Sequence, residues 1–274
     1  MEFDIMTPSI KKVVFPVGGL GKRFYPATIA IPKEMLPVVD RPLIDYAIEE
    51  ARLSGIEELI FVTRKGKSSI EDYIEEYIKS NNLKTKSNVI SDNNKVKELS
   101  FSFTMQHESL GLGHAIWCAR NLIGEDAFAV LLADDFLTYE GAGVTADLVA
   151  GFAMSGKSQL SVMEVNGPDI SKYGVVLPGS EPGSVAGLVE KPDVDKAPSN
   201  FASIGRYVLT PDIFDIIRNQ PVGTGGEIQL ADAINAQAAS NAVEAVMLNG
   251  RRFDCGSVQG YLNAIIHVAG CREH

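Results

Sequence analysis

Short apolar runs alternating with amphipathic helical stretches constrain the fold of this chain more than any other feature. Strand-like runs are expected at 12–17, 58–63, 101–106, 128–133, 159–165, 202–209 and 243–248. Between them, apolar residues recur at helical spacing, as in 43–54, 112–122, 144–154 and the series Ile70, Tyr73, Ile74, Tyr77 and Ile78. Further helices are expected at 211–218, 227–239 and from Ser257 onward. Repeated strand–helix alternation predicts an α/β fold with a doubly wound, mostly parallel (mixed) sheet and helices on both faces. Runs at 173–177 and 185–190, joined by a Pro/Gly/Ser turn, read as a small β-rich insertion. The polar stretch Ser80 to Leu99 has no clear period and is expected to be a mobile helix–loop excursion, serving as a lid or an oligomer contact. Ligands of such sheets bind beyond the carboxyl ends of the strands. Gln106, Asp134, Glu190 and the first loop all fall at such ends.

That first loop is rich in glycine. Gly18, Gly19 and Gly21 follow Val17, then come Lys22 and Arg23, with Lys33 beside Glu34 further on. Glycine lets backbone N–H groups turn inward and approach a ligand, while cations neutralise a polyanion. Together they predict a nucleoside triphosphate site. The loop is not a dinucleotide fingerprint, because Phe24 stands where the third glycine belongs. Nor is it a P-loop, because Pro16 takes the first glycine position. A literal P-loop match runs from Gly151 to Ser158, but it lies between a helix and a strand, and Gly156 reads as a helix C-cap.

The chain has 274 residues, 45% of them hydrophobic, enough for one large α/β domain or two small ones. We expect a single domain over 1–274, with a nucleotide-binding half at about 11–135 that carries the glycine loop, and a second half, with the C-terminal helices, at about 136–274. Its net charge of −10 argues against nucleic acid as a partner. No apolar run approaches the ~18 residues of a membrane span, so no membrane association is expected. Residues 1–10 lack a basic flank and an apolar h-region, so no signal peptide is read there. Three widely spaced cysteines, Cys118, Cys255 and Cys271, fit a reducing, cytoplasmic setting without disulfides or a zinc site.

Asp134 and Asp135 close an apolar run. Neighbours on a strand face opposite ways, so one of the pair addresses a given ligand, either as an oxygen ligand for Mg²⁺ or as a turn residue. Asp254, two residues before Gly256, reads from its surroundings as a turn residue. Glu190 and Lys191 close a strand as either a solvated rim or a binding pair. The Gln106 amide offers both a donor and an acceptor to a base edge, and Gly111 and Gly113 permit flat packing against a ring. His114 and Trp117 are expected to be structural. No arrangement suggests a covalent nucleophile.

From Gly19 to Pro37 the chain resembles the GxG-x-R-x-x-P-x-T…PK signature of the sugar nucleotidyltransferases. Gly19, Gly21, Arg23, Pro26, Thr28, Pro32, Lys33 and Pro37 are all in register. Downstream, QHESLGLGHA, LLADDF, KYGVV, VEKP, GEIQL and FDCGS resemble the bacterial branch that joins UTP to glucose-1-phosphate, and the likeness runs from about residue 11 to 269. The resemblance implies a Rossmann-like nucleotidyltransferase fold and Mg²⁺-dependent in-line displacement giving UDP-glucose and pyrophosphate. It implies Asp134 and Asp254 at the metal, with Arg23 and Lys33 on the triphosphate and Lys191 on the phosphate of the sugar. It further implies Gly18, Gly19, Gly21, Glu34, Gln106 and Gly111 at the nucleotide, Asp135, Gly174 and Glu190 at the sugar, and a homodimer or homotetramer. The chain departs from the signature at Lys22, where Thr is usual, at Ile29, where a cation is common, and at Ala133, which replaces a Pro. Two alternatives stay open: a transferase for dTTP or another sugar, and a regulatory paralogue that binds sugar nucleotide.

Overall fold

The computed structural model describes residues 9–80, 87–90 and 96–272. In chain order it begins with β1 (Lys12–Pro16), the short β2 (Pro37–Val38) and β3 (Arg41–Pro42), α1 (Leu43–Leu53), β4 (Glu58–Thr63) and α2 (Ser68–Ser80). There follow β5 (Ser87–Ile90), β6 (Val96–Met105), α3 (Leu112–Cys118), α4 (Arg120–Ile123), β7 (Phe128–Leu131), β8 (Asp135–Tyr139) and α5 (Val144–Ser155). The remainder comprises β9 (Ser158–Glu164), β10 (Gly174–Pro178), β11 (Val185–Glu190), β12 (Phe201–Leu209), α6 (Ile213–Asn219), α7 (Leu230–Ala238), β13 (Val243–Met247), β14 (Gly250–Asp254) and α8 (Val258–Arg272).

Ten of the described strands form one sheet in the order β11-β10-β12-β7-β1-β4-β6-β5, with β9 pairing β12 and β13 pairing β9. Strands β7, β1, β4 and β6 run parallel, as the alternation requires. The long β12 runs antiparallel to β7, β9 and β10. The sheet is therefore mixed, and the β10–β11 hairpin extends its edge. β1 is a run of apolar residues without polar alternation because both of its faces are covered. Val14 joins a core with residues of α3, α6 and α7, whereas Val13 and Phe15 join one with residues of α1, α2 and α5. All three side chains are fully buried, each contributing roughly 1.5–3 kcal/mol of transfer free energy. Helices thus cover both faces, the doubly wound arrangement.

Three local expectations are revised. Part of the stretch from Ser80 to Leu99 is strand: β5 pairs antiparallel with the start of β6, Ser87 opposite Leu99. Residues 81–86 and 91–95 lie outside the described residues. The helix expected over 112–122 is divided at Ala119 into α3 and α4. α7 begins at Leu230 rather than Glu227, because residues 227–229 run extended against the segment before α3. Gly156, at φ 68°, does cap α5, and β9 follows at once, so the P-loop match has no phosphate loop.

Outside the main sheet, β8 and β14 form an antiparallel pair with Asp135 opposite Asp254. α8 closes over it through a core that includes Phe136, Cys255 and Ala264. No helix among the described residues is long and apolar enough to cross a membrane.

Candidate functional site

β1 delivers the glycine loop to the carboxyl edge of the sheet. The Val17 N–H donates to the Val62 carbonyl at 2.9 Å, so the chain leaves the sheet at Gly18. Gly21 turns it with φ 63°, a left-handed conformation that glycine adopts without a Cβ clash. The Thr28 hydroxyl donates to the Gly21 carbonyl at 2.7 Å and holds the turn. A Cβ on Gly18 would stand 3.0 Å from Oε1 of Gln106, and one on Gly19 would stand 3.5 Å from Cε of Lys33. The missing side chains are what bring Gln106 and Lys33 to the loop.

These residues line a cavity of about 390 Å³ that also includes Gly111, Leu132, Asp134 and Glu227. Gln106 sits at the end of β6, and its Nε2 donates to the Gly111 carbonyl at 3.0 Å. Gly113 plays a different part from the one expected. Its N–H donates to the Ile228 carbonyl at 2.8 Å, and the Ile228 N–H returns a bond to Leu110 at 2.7 Å. The glycines here admit the 227–229 backbone, which brings Glu227 to the wall of the cavity.

A second cavity, of about 190 Å³, contains Asp135, Tyr173, Gly174, Glu190 and Arg252. Gly174 pairs with Glu190 across the β10–β11 ladder, where a Cβ on Gly174 would approach Oε2 of Glu190 to 3.2 Å. The two cavities share Leu112 and Leu132, so they adjoin. The aspartate pair straddles that wall, Asp134 on the larger cavity and Asp135 on the smaller.

Three charged groups, Lys33, Asp254 and Arg23, converge beside Asp134. Its carboxylate is ion-paired with the Lys33 ammonium. Its carbonyl accepts the Cys255 N–H at 2.8 Å, which ties it to the end of β14. The site of a Cβ on Gly256 lies 3.0 Å from Oδ1 of Asp254, 3.1 Å from Oδ2 of Asp134 and 3.6 Å from Nη1 of Arg23. Burial works against the charge on Lys33, yet Asp134 and Glu34 hold its pKa above that of an ordinary lysine. Burial likewise opposes the Asp134 charge, and Lys33 holds that carboxyl below the usual range. No group of three or more His, Cys, Asp or Glu side chains poised for a metal occurs among the described residues. Two carboxylates on one spot suit a hard divalent cation that takes its other oxygens from substrate and water.

The remaining expected residues are placed as follows. Glu34 is almost fully buried, its Oε2 bonded to Lys67 at 2.8 Å. Asp135 has both oxygens engaged, Oδ2 by the Gly205 N–H at 2.6 Å and Oδ1 by the Arg252 guanidinium. Lys191 has a left-handed backbone, φ 46°, and an exposed ammonium 2.6 Å from Glu190, and it is not on the wall of either cavity. Lys22 and Ile29 are exposed and off both walls. Sequence reasoning missed Arg252 and Lys67. The alternation along β14, which puts Arg252 on the face of Asp254, was a usable signal for the first. Lys67 lies in a polar connection with no period to mark it.

The nucleotidyl transferase family profile matches residues 12–269. The chain is 45% identical to a UTP–glucose-1-phosphate uridylyltransferase of Pseudomonas aeruginosa, covering 97% of each chain. It is 42% identical to one of Bacillus subtilis, over 95% of this chain and 91% of that one. Among solved structures, a UDP-glucose pyrophosphorylase complexed with UDP-glucose superimposes with a TM-score of 0.85 at 40% identity, over 95% of this chain and 99% of that one.

Proposed function

The chain belongs to the nucleotidyl transferase family, and we infer that it transfers the uridylyl group of UTP to glucose-1-phosphate, giving UDP-glucose and pyrophosphate. The observation that carries this reading is the pair of adjoining cavities with consecutive aspartates on either side of their shared wall. The larger holds the glycine loop, Lys33 and Gln106, and it suits the nucleotide. The smaller, with Gly174, Glu190 and Asp135, suits a polyhydroxylated sugar.

A phosphate oxygen of glucose-1-phosphate attacks the α-phosphorus of UTP. A new O–P bond forms as the bond from the α-phosphorus to the bridging oxygen breaks, and the electron pair leaves with pyrophosphate. The protein supplies no nucleophile. Its task is alignment and stabilisation of spreading negative charge. Arg23 and Lys33 face the triphosphate and its leaving end. Gly18, Gly19 and Gly21 present backbone N–H groups, and Gln106 with Gly111 meets the base. Asp135 fixes the wall of the sugar compartment through Gly205 and Arg252, while Glu190 accepts sugar hydroxyls. Lys191, released from Glu190, places the attacking phosphate. Asp134 and Asp254 would hold a divalent cation, which we take to be Mg²⁺. When bound, it would neutralise charge on the phosphate oxygens. We assign the chain a cytoplasmic setting, in keeping with three free cysteines. We also assign it a homodimeric or homotetrameric assembly, to be checked by light scattering.

Pyrophosphate release with Mg²⁺, crossing UTP, dTTP, CTP, ATP and GTP with the 1-phosphates of glucose, galactose and N-acetylglucosamine, tests the reading. UTP with glucose-1-phosphate is expected to exceed every other pair. Preference for another pair would reassign the base or sugar compartment. No release with any pair would overturn the catalytic reading.

A further inference from the structure

Lys67 is a buried lysine on the wall of neither cavity. It lies between β4 and α2, and its ammonium reaches back to two groups. One is the Val17 carbonyl, the last before the glycine loop, and the other is Oε2 of Glu34 at 2.8 Å. Val17 is thus held on both sides, its N–H by β4 and its carbonyl by Lys67. Oε1 of Glu34 is buried without a hydrogen-bond partner and lies 4.0 Å from the Lys33 ammonium, which itself rests on Asp134. Lys67 thus bonds Val17 and Glu34 directly, and Glu34 lies beside the Lys33–Asp134 ion pair on the wall of the larger cavity.

Burying a lysine and a glutamate is costly unless they are paired and hydrogen-bonded. Burial lowers the pKa of Lys67 and raises that of Glu34, each partner opposing the shift in the other. An apolar pair would fill the same space at lower cost. What a leucine or methionine cannot do is bond the Val17 carbonyl and a carboxylate together, and so couple the loop's backbone to the segment that carries Lys33.

We propose that Lys67 is a positioning residue for the triphosphate: by bonding the Val17 carbonyl and Glu34 at once, it sets the glycine-loop amides and the Lys33 ammonium in register on one ligand. The proposal rests on the assignment of the larger cavity to the nucleotide. It predicts a selective defect, since none of Val17, Lys67, Glu34 and Lys33 lies on the wall of the smaller cavity. Misplacing a binding group by about an ångström costs on the order of a hundredfold in rate.

The test compares the wild type with Lys67→Met and with the double variant Glu34→Gln/Lys67→Met, which removes both buried charges and guards against failure of the single variant to fold. Circular dichroism establishes folding, and kcat and KM are measured separately for each substrate. A folded variant is expected to lose about a hundredfold in kcat/KM for UTP while KM for glucose-1-phosphate stays within about threefold. A folded variant whose kcat/KM for UTP is within about threefold of wild type overturns the proposal. So does a KM for glucose-1-phosphate that rises as far as the KM for UTP, which is the mark of a merely structural role. Wild-type turnover in the same assay judges the function reading separately. Should the wild type prefer another nucleotide, the comparison is made with that one. Should it release no pyrophosphate, UTP affinity by calorimetry replaces kcat/KM with the same hundredfold expectation, and unchanged affinity then overturns the proposal.

Discussion

At Gly113 two opposing effects of a single methyl group can be weighed. The residue lies within α3, where replacing glycine by alanine ordinarily favours the helix by roughly 1 kcal/mol. Here a Cβ would come within 2.7 Å of the Ile228 carbonyl oxygen, a backbone atom held by its own hydrogen bonds. Forcing extra volume into such a contact costs about 1–3 kcal/mol, so the clash outweighs the propensity. Gly113→Ala is expected to destabilise the protein in urea titrations and to raise KM for UTP, because the 227–229 wall must shift. A variant more stable than wild type would show that Ile228 yields freely. The glycine was legible as part of a site, but its partner was not. A glycine announces close approach without naming what approaches, and here another stretch of the same chain takes the place expected for a ring.

Among the elements, α1 and β12 are joined by a buried ion pair. The Arg206 guanidinium donates to both oxygens of Glu50 at 2.9–3.1 Å. Its Nη1 bonds the carbonyls of Leu132 and Gly205 at 2.9 and 3.0 Å. Glu50 also accepts the Thr145 hydroxyl at 2.6 Å, bringing in α5. Removing one partner leaves an uncompensated buried charge, which costs about 3–5 kcal/mol, whereas replacing both by apolar residues is often nearly neutral. Arg206→Met is therefore expected to lose several kcal/mol by chemical denaturation, and Glu50→Leu/Arg206→Met to recover at least half of that loss. Additive losses would mean that the pair is not coupled. Leu132 precedes Asp134 by two residues, so Arg206 also steadies the turn between the two cavities. Helix periodicity marked α1 and strand composition marked β12. Neither could reveal that a glutamate on one meets an arginine 156 positions away on the other.

In the molecule as a whole, residues on both sides of position 135 contribute strands to one sheet, with β12 bonded directly to β7. The core that receives Val14 of β1 also receives Phe214 of α6 and Ile234 of α7. We therefore expect one cooperative unfolding transition, in which the fluorescence of Trp117, packed at that core against Phe214, coincides with far-UV dichroism. Separate midpoints would show that the halves at 11–135 and 136–274 unfold on their own. The amino-acid sequence by itself determined the alternation of elements, the apolar strand runs that become β1 and β4, the amphipathic α1 and α2, and the glycine-rich turn that follows β1. These follow from side-chain periodicity and backbone freedom over a few residues, which local physics expresses directly. Tertiary structure alone decided the pairing of β8 with β14, the engagement of Asp135 by Arg252 and the burial of Lys67 with Glu34. In each case the partners are far apart in the chain, and only folding removes water from between them and makes their charges consequential.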